Sequence, residues 1–451
     1  MAFQISDELI DQVQEHIAAT QDTQLLELMS DFHYADIAEV LDALDLEDAT
    51  YLLRLLDSET TSDALMELDE DLREDLLDKL SPKEIAEELE EMDTDDAADV
   101  IAELDDAIVD EVIDEIKDEK HAQEIRELLS YDENSAGGLM AKELVRVKDT
   151  WTIAGCVREM RRQAKNVTRV HSIYVVDKNE KLIGRLSLKD LLTAPEKAKI
   201  SDIYIPRVDF VFVDRTGEEV ARIMNKYDLE AIPVVDEDHK LLGRITIDDI
   251  VDFIKLEAEK DYQLAAGITQ EVEADDSILE LTKARLPWLV LGLFGGLASV
   301  FILEDFEDLM ADPQVKALFF FTPLIAAMAG NVGVQSSAII VQGLANDIVK
   351  GSLWSRLLKE VGLSLINGIA LGALVMVFGA IMGYSTAFSL TIAVSMLSVI
   401  IIAALIGTFV PIILDKRGID PAIATGPFIT TSNDIFGIFL FFYLSKLILQ
   451  F

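Results

Sequence analysis

Between Pro421 and Ser445 the only charged side chain is Asp434. Counted from Pro421 and from Lys446 it stands near the middle of an apolar stretch, roughly 18–20 Å from either end at about 1.5 Å per helical residue. A carboxylate at such depth in a bilayer costs at least about 2.5–3.5 kcal/mol and faces a partner, a water-filled cavity or an ion path. Its surroundings share its chemistry. The run Asp420-Pro421-Ala-Ile-Ala-Thr425-Gly426-Pro427-Phe-Ile-Thr430-Thr431-Ser-Asn433-Asp434 is polar and rich in Gly and Pro. So is Pro323-Leu-Ile-Ala-Ala-Met-Ala-Gly330-Asn331-Val-Gly333-Val-Gln335-Ser-Ser337. Proline removes a backbone hydrogen bond and frees a carbonyl, which is tolerated at this depth where it lines a cavity or meets protein. The candidate pore residues are therefore Asp434, Gly330, Asn331, Thr430, Thr431 and Asn433. Hard oxygens of this kind suit Mg²⁺, Ca²⁺ or Mn²⁺. Close helix packing explains Gly330, Gly333 and Gly426 equally well, but not Asp434.

These residues require membrane helices to position them. Leu286–Leu303, Ala317–Ala345 and Val361–Leu414 are uncharged over 18, 29 and 54 residues. The longest exceeds one crossing of a ~30 Å hydrocarbon core and is expected to turn at Gly383-Tyr-Ser-Thr386. With Pro421–Ser445 the total is five helices in a domain spanning 284–451. Lys283 and Arg285, then Lys350, Arg356 and Lys359, then Lys416 and Arg417 fall on one side, expected to be cytoplasmic. The loop Glu304-Asp305-x-Glu307-Asp308 falls on the other. The N-terminus is then inside and the C-terminus outside. Met1 to Gln14 has no apolar signal-peptide core, so the first membrane segment is expected to direct insertion.

The preceding residues differ sharply. Residues 1–283 carry 30 Lys+Arg and 73 Asp+Glu, a charge of −43, against −2 for 284–451. Such a surface repels nucleic acid and anionic lipid and favours cations; a merely solvated surface is the plain alternative. Residues 1–134 repeat with a period of 12: Leu41, Leu53, Leu65, Leu77, Leu89, Ile101 and Ile113, followed three later by Leu44, Leu56, Leu68, Leu80, Met92, Leu104 and Ile116. Helix-capping residues follow: Asp45, Asp57, Asp69, Ser81, Asp93 and Asp105. Two helical turns and a corner cannot bury their own apolar face, so the units must stack into an α-helical solenoid.

Residues 135–200 and 201–257 are a tandem pair. Ile173–Leu192 aligns with Ile232–Val251 at an offset of 59, with nine of twenty positions identical. Each copy reads as strand, turn, strand, helix start, and Ser187-x-x-Asp190 and Thr246-x-x-Asp249 are helix-cap signatures. Residues 258–283 read as a charged connecting helix. Cys156 is the only cysteine and excludes a disulfide framework. The five histidines lack zinc-site spacing, and no GxxxxGK[ST] occurs, which argues against an ATP-driven pump.

The duplicated unit resembles a pair of CBS domains, an α+β type in which the [ST]xx[DN] element can hold an adenine nucleotide's ribose. That resemblance makes Ser187, Asp190, Thr246 and Asp249 candidate nucleotide contacts and ATP a candidate modulator. The order solenoid, CBS pair, connecting helix and five membrane helices resembles the MgtE family of magnesium channels over essentially the whole chain. Gly330-Asn331-x-Gly333-x-Gln335-Ser336 and Gly426-Pro427-Phe428 through Asp434 carry it most specifically. Val334 stands where many relatives have a small polar residue. The resemblance implies no enzyme activity, a homodimer in the bacterial inner membrane with its pore on the dimer axis, and a selectivity site organised by Asp434. It further implies Mg²⁺ bound by the acidic soluble domains, which then close the pore through a plug helix. By position, Asp93, Asp249 and Asp252 are the foremost sensor candidates; Glu218, Asp228, Glu257, Asp261 and Asp420 are further candidate ligands.

The expected activity is passive Mg²⁺ uptake driven by the inside-negative potential and shut by cytosolic Mg²⁺. A proton- or sodium-coupled exchanger using Asp434 is the main alternative. A chloride channel suits neither a CBS pair placed before the membrane part nor a lone membrane aspartate, and a non-transporting nucleotide sensor leaves the polar membrane helices unexplained.

Overall fold

A computed structural model of the chain describes residues 5–450 apart from 165, 166, 168, 169, 171, 196, 270, 271, 273, 275, 307–312, 346, 347, 350, 351 and 425. Glu307, Asp308, Lys350 and Thr425, named above, lie outside the described residues. Two compact units are formed, Met1–Ile254 and Lys255–Phe451.

The first unit opens with ten short helices: α1 (Asp7–Ala18), α2 (Asp22–Met29), α3 (Tyr34–Asp42), α4 (Leu46–Leu55), α5 (Ser58–Met66), α6 (Glu70–Leu77), α7 (Pro82–Leu89), α8 (Thr94–Glu103), α9 (Asp106–Glu115) and α10 (Glu119–Leu128). From α3 to α9 each begins 12 residues after the last. Cap chemistry sets this beat: Asp45 accepts from Asp48 N at 2.9 Å, Asp57 from Thr60 N at 3.2 Å and Ser81 from Glu84 N at 3.3 Å. Successive odd helices pack together (α3 on α5, α5 on α7, α7 on α9), and α4 packs on α6 and α8 on α10. The repeat thus makes a two-layered solenoid, with Leu41, Leu53, Leu65, Leu77, Leu89, Ile101 and Ile113 all buried between its helices.

The duplicated region folds as two small sheets with helices. The first copy has β1 (Val145–Lys148), α11 (Ile153–Gln163), β2 (Ile173–Val176), β3 (Leu182–Leu186), α12 (Leu188–Thr193) and β4 (Ile205–Pro206) in sheet order β1-β2-β3-β4. The second has β5 (Val211–Phe212), α13 (Gly217–Tyr227), β6 (Ala231–Val235), β7 (Leu241–Thr246) and α14 (Ile247–Ala266) in order β5-β6-β7. In each, the first strand pairs parallel and the next antiparallel. The copies join by a pseudo-twofold pair of hydrogen bonds, Leu182 N to His239 O at 2.9 Å and Leu241 N to Glu180 O at 3.2 Å. Glu180 and His239 both hold positive φ, 63° each. The second copy and the solenoid share one continuous apolar core, while the first copy has its own.

The second unit contains five helices long and apolar enough to cross a membrane: α15 (Ile278–Glu304), α17 (Thr322–Ala345), α18 (Leu353–Met382), α19 (Thr386–Asp415) and α20 (Pro427–Leu449), with a short α16 (Pro313–Phe319) before α17. The expected turn between α18 and α19 falls at Gly383, whose φ of +78° suits a residue without Cβ, and Ser385 caps α19. Three details differ from expectation. Both α15 and α18 start eight residues before the uncharged runs, because Ser277 forms a capping box with Glu280 and α18 accommodates Arg356, Lys359 and Glu360 in its first turns. The connecting helix is α14, which ends at Ala266 where Gly267 turns with φ +81°, and not a helix over 258–283. Pro421–Ala424 is a separate 3₁₀ turn, so α20 begins only at Pro427. Asp434 therefore lies about 10 Å from the start of its helix rather than midway.

Candidate functional site: a carboxylate on a membrane-length helix and a carboxylate cluster on the solenoid

Asp434 and Thr430, one turn apart on α20, share a face. Opposite them on α17 is Gly330: a Cβ built there would lie 3.3 Å from Thr430 Cγ2 and 3.9 Å from Asp434 Oδ1. The missing side chain leaves the carboxylate room. Thr430 Oγ1 and N both donate to Gly426 O, each at 3.1 Å, which ties the first turn of α20 to the Gly426–Pro427 corner. Among the described residues no side chain bonds or ion-pairs with the half-buried Asp434 carboxylate.

The other predicted pore residues point elsewhere. Thr431 fills the space left by Gly295 of α15. Asn433, 1% exposed, lies against Gly333 of α17, with both amide atoms lacking a hydrogen-bond partner among the described residues. Asn331 is exposed on α17. Gly330, Thr430 and Asp434 are the members brought together. At the foot of α20, Gly426 and Pro427 press on Ala265 and Gly267 at the end of α14, so the connecting helix abuts the corner from which the carboxylate-bearing helix starts.

A second site lies in the first unit. Asp93 holds the cap position of α8, yet its side chain makes no capping hydrogen bond. Glu143, from the segment leading into β1, replaces it: Glu143 Oε2 accepts from Thr94 N at 3.2 Å and from Thr94 Oγ1 at 2.9 Å. The freed Asp93 carboxylate turns toward Arg244, 3.9 Å away, and toward Asp95 and Glu143. One ligand oxygen from each of Asp93, Asp95 and Glu143 falls within 4.8 Å of the others. Asp95 is 8% exposed, and its Oδ1 is buried with no partner among the described residues. Burial, then the Glu143 charge, pushes Asp93 up to about 6. Burial, then Asp249, pushes Asp96 up to about 8. Asp95 is raised well above the ordinary carboxylate value by burial, then Asp96. Three carboxylates beside one guanidinium leave an excess of two negative charges, and hard oxygens in that number suit a divalent cation.

Of the predicted sensor residues, Asp93 is in this cluster and Asp249 faces it. Asp249 Oδ2 also accepts from Thr246 N at 3.0 Å and Thr246 Oγ1 at 2.5 Å, holding the start of α14. Asp252, Glu218 and Asp228 are exposed and stand apart from the cluster, Asp228 as the left-handed cap of α13. In the second unit Glu257 pairs with Lys260 at 3.3 Å, Asp261 is exposed on α14, and Asp420 accepts from Ala422 N at 2.7 Å. Ser187 and Asp190 bond each other at 2.6 Å and cap α12, as Thr246 and Asp249 do for α14. Sequence reasoning missed Asp95 and Glu143. Asp95 occupies a repeat position where α4 and α5 carry the exposed Glu47 and Glu59; only docking of α8 buries it.

Comparisons with known proteins cover both units. Residues 322–444 match the family described as divalent cation transporter (MgtE), residues 32–134 the MgtE intracellular N domain, and residues 136–197 and 200–256 the CBS domain. The chain is similar to "Magnesium transporter MgtE" of Enterococcus faecalis (35% identical over 327 residues) and of Thermus thermophilus (34% over 327), covering 72% of each chain in both cases. Among solved structures it resembles the soluble part of a magnesium transporter (31% identical, TM-score 0.51), over 56% of this chain and 99% of that one. It also resembles the cytosolic domain of the Mg²⁺ channel MgtE in complex with ATP (34%, TM-score 0.51), over 54% and 99%.

Proposed function

Since the chain belongs to the MgtE family of magnesium transporters, we propose that it is a Mg²⁺-selective channel, closed when cytosolic Mg²⁺ binds its acidic domains. The observation that carries the pore half is the unpartnered Asp434 carboxylate opposite Gly330. Mg²⁺ dehydrates reluctantly and is usually held with several of its waters. A lone carboxylate with open space beside it fits a hydrated ion better than a tight cage does. A homodimer would bring two such carboxylates to one axis. Inside-negative potential supplies ~2.3 kcal/mol per charge per 100 mV, so ~4.6 for a divalent ion, and no coupling ion is required. The positive charges of Lys283, Arg285, Arg356, Lys359, Lys416 and Arg417 support a bacterial inner-membrane protein with its N-terminus and soluble part cytoplasmic and its C-terminus outside. ATP, at the CBS pair, is proposed as a modulator, supported by the ATP complex of a similar cytosolic domain.

The test is Mg²⁺ flux into liposomes holding the purified protein, under an imposed inside-negative potential and with no proton or sodium gradient. Uptake is expected to follow potential alone. Flux that appears only with a proton or sodium gradient identifies the coupled exchanger instead.

The gating half rests on the cluster at α8. Asp93, Asp95 and Glu143 approach one another only if their charge is neutralised, and a bound divalent cation supplies that neutralisation. Protons supply it too, which sets a pH dependence. The docked carboxylates of Asp93 and Asp96 are raised to about 6 and 8. Docking thus takes up protons relative to free carboxylates near 3.8, so docking without metal weakens as pH rises from about 4 to about 8. Without Mg²⁺, limited proteolysis of the segment joining α10 to β1 should be slower at pH 6 than at pH 8, and Mg²⁺ should restore protection at pH 8. Equal cleavage at both pH values would remove the cluster from the gating scheme.

A further inference from the structure

The carboxylate of Glu360 stands seven residues into α18, about 10 Å along the helix. A carboxylate within a membrane helix costs free energy unless it faces protein or water. The neighbouring Lys359 is exposed, but Glu360 is partly buried and turned inward. It opens a stripe of residues four apart, Glu360, Ser364, Gly368 and Gly372, of which the last three are buried. Along that stripe α18 lies close to α19: a Cβ on Gly368 would stand 3.4 Å from Leu397 Cα, and one on Gly372 would stand 3.4 Å from Ala393 Cβ. The close approach lets Glu360 reach α17, where Ser336 Oγ donates to Glu360 Oε1 at 2.6 Å.

Ser336 is buried, and the turn of α17 from Gly333 to Ser336 is held from three sides. From α20 come Asn433 and Ile429, the Ile429 Cγ2 lying 2.8 Å from a Cβ built on Gly333. From α19 comes Gly407, where a Cβ would meet Gly333 O and would lie 3.1 Å from Ser336 Cβ. From α18 comes Glu360. The first two contacts are close packing, and the Asn433 amide has no hydrogen-bond partner among the described residues. The third is a directional bond, made by a helix that packs on α19 rather than on α17. One turn before Gly333 on α17 is Gly330, whose missing side chain leaves the room beside Asp434.

We infer that Glu360 is a positioning residue for the selectivity site: through Ser336 it fixes the turn of α17 that sets Gly330 opposite Asp434. Packing contacts between small residues allow a helix to slide or turn, whereas a side-chain hydrogen bond fixes its rotation. The site is sensitive to such a shift. Groups that hold an ion must themselves be held to within about 0.5 Å by the residues behind them, and Mg²⁺ demands a near-octahedral shell of fixed size. Loss of the bond loosens α17 against α20 and costs preference for Mg²⁺ before it costs conduction. The role needs an acceptor oxygen at this point rather than a charge, and glutamine offers one too. This inference rests on the pore reading above.

The test is the Mg²⁺-over-K⁺ permeability ratio, read from reversal potentials in bilayers holding the full-length protein, with the cytosolic side free of Mg²⁺. Ser336→Ala and Glu360→Leu are each expected to lower the ratio about fivefold or more, and the double variant to lower it no further, since both remove one and the same bond. Glu360→Gln keeps the acceptor and should hold the ratio within about twofold of the wild type. A wild-type ratio in both S336A and E360L, or a current reduced alike for both ions, defeats the inference. A ratio that falls in E360Q as in E360L, with S336A unchanged, means that the carboxylate acts on the ion by its charge, which overturns the positioning role. Asp434→Asn, measured alongside, separates the two readings: a wild-type ratio there defeats the pore reading itself.

Discussion

Asp434→Ala is expected to abolish selective Mg²⁺ transport while leaving a protein that folds and inserts. The carboxylate has no partner among the described residues, so its removal leaves no buried charge unpaired, and the small side chain fits beside Gly330. What is lost is the one charge along this apolar helix that attracts a cation. A contact worth about 3 kcal/mol changes site occupancy roughly a hundredfold, and a loss of that order in Mg²⁺ uptake is expected. Asp434→Asn keeps the shape and the oxygen, so it separates charge from geometry. It should lose Mg²⁺ over monovalent selectivity even where some conduction remains. Wild-type uptake and permeation ratios in both variants would overturn the assignment.

The second large effect is expected at the cluster. Replacing Asp93, Asp95 and Glu143 by Asn, Asn and Gln should leave the channel open at cytosolic Mg²⁺ concentrations that shut the wild type. The half-closing concentration should rise about tenfold or more, since each lost cation–carboxylate contact weakens the state that Mg²⁺ selects. Permeation ratios should stay unchanged because Asp434 is untouched. Glutamine at 143 can still accept from Thr94, so the start of α8 stays capped and the effect is not one of unfolding. Open probability against cytosolic Mg²⁺ is the measurement, and a curve superimposed on that of the wild type would exclude the cluster as the sensor.

Much of the architecture was legible in the sequence because it follows from short-range rules. The 12-residue period fixed helix starts from α3 to α9, since an acidic or hydroxyl cap recurs where each apolar pair ends. The duplicated strand–turn–strand runs likewise showed a pair of like domains. Asp434 was legible by contrast with its apolar neighbours. Its depth was not, because Gly426–Pro427 restarts the helix six residues after the apolar stretch begins. The candidate site on α20 was legible only in part. Thr430, Thr431, Asn433 and Asp434 look alike in composition, but helical geometry sends Thr431 to α15 and Asn433 to Gly333. The cluster was least visible. Asp93 stands in a series of like cap residues, and it is Glu143, 50 residues away, that takes over the bond to Thr94 N.

The two-layered packing of the solenoid also bears on how the chain acquires its structure. Most of its helices meet partners one or two helices away, within about two repeats of the sequence, so these contacts close small loops. Folding can start at any repeat and spread to its neighbours. The CBS sheets instead join strands across the duplicated unit, and α8 finds Glu143 only once that later segment exists. The solenoid is therefore expected to form early as the chain leaves the ribosome. The Asp93–Asp95–Glu143 cluster is expected to assemble late, after both of its faces have folded.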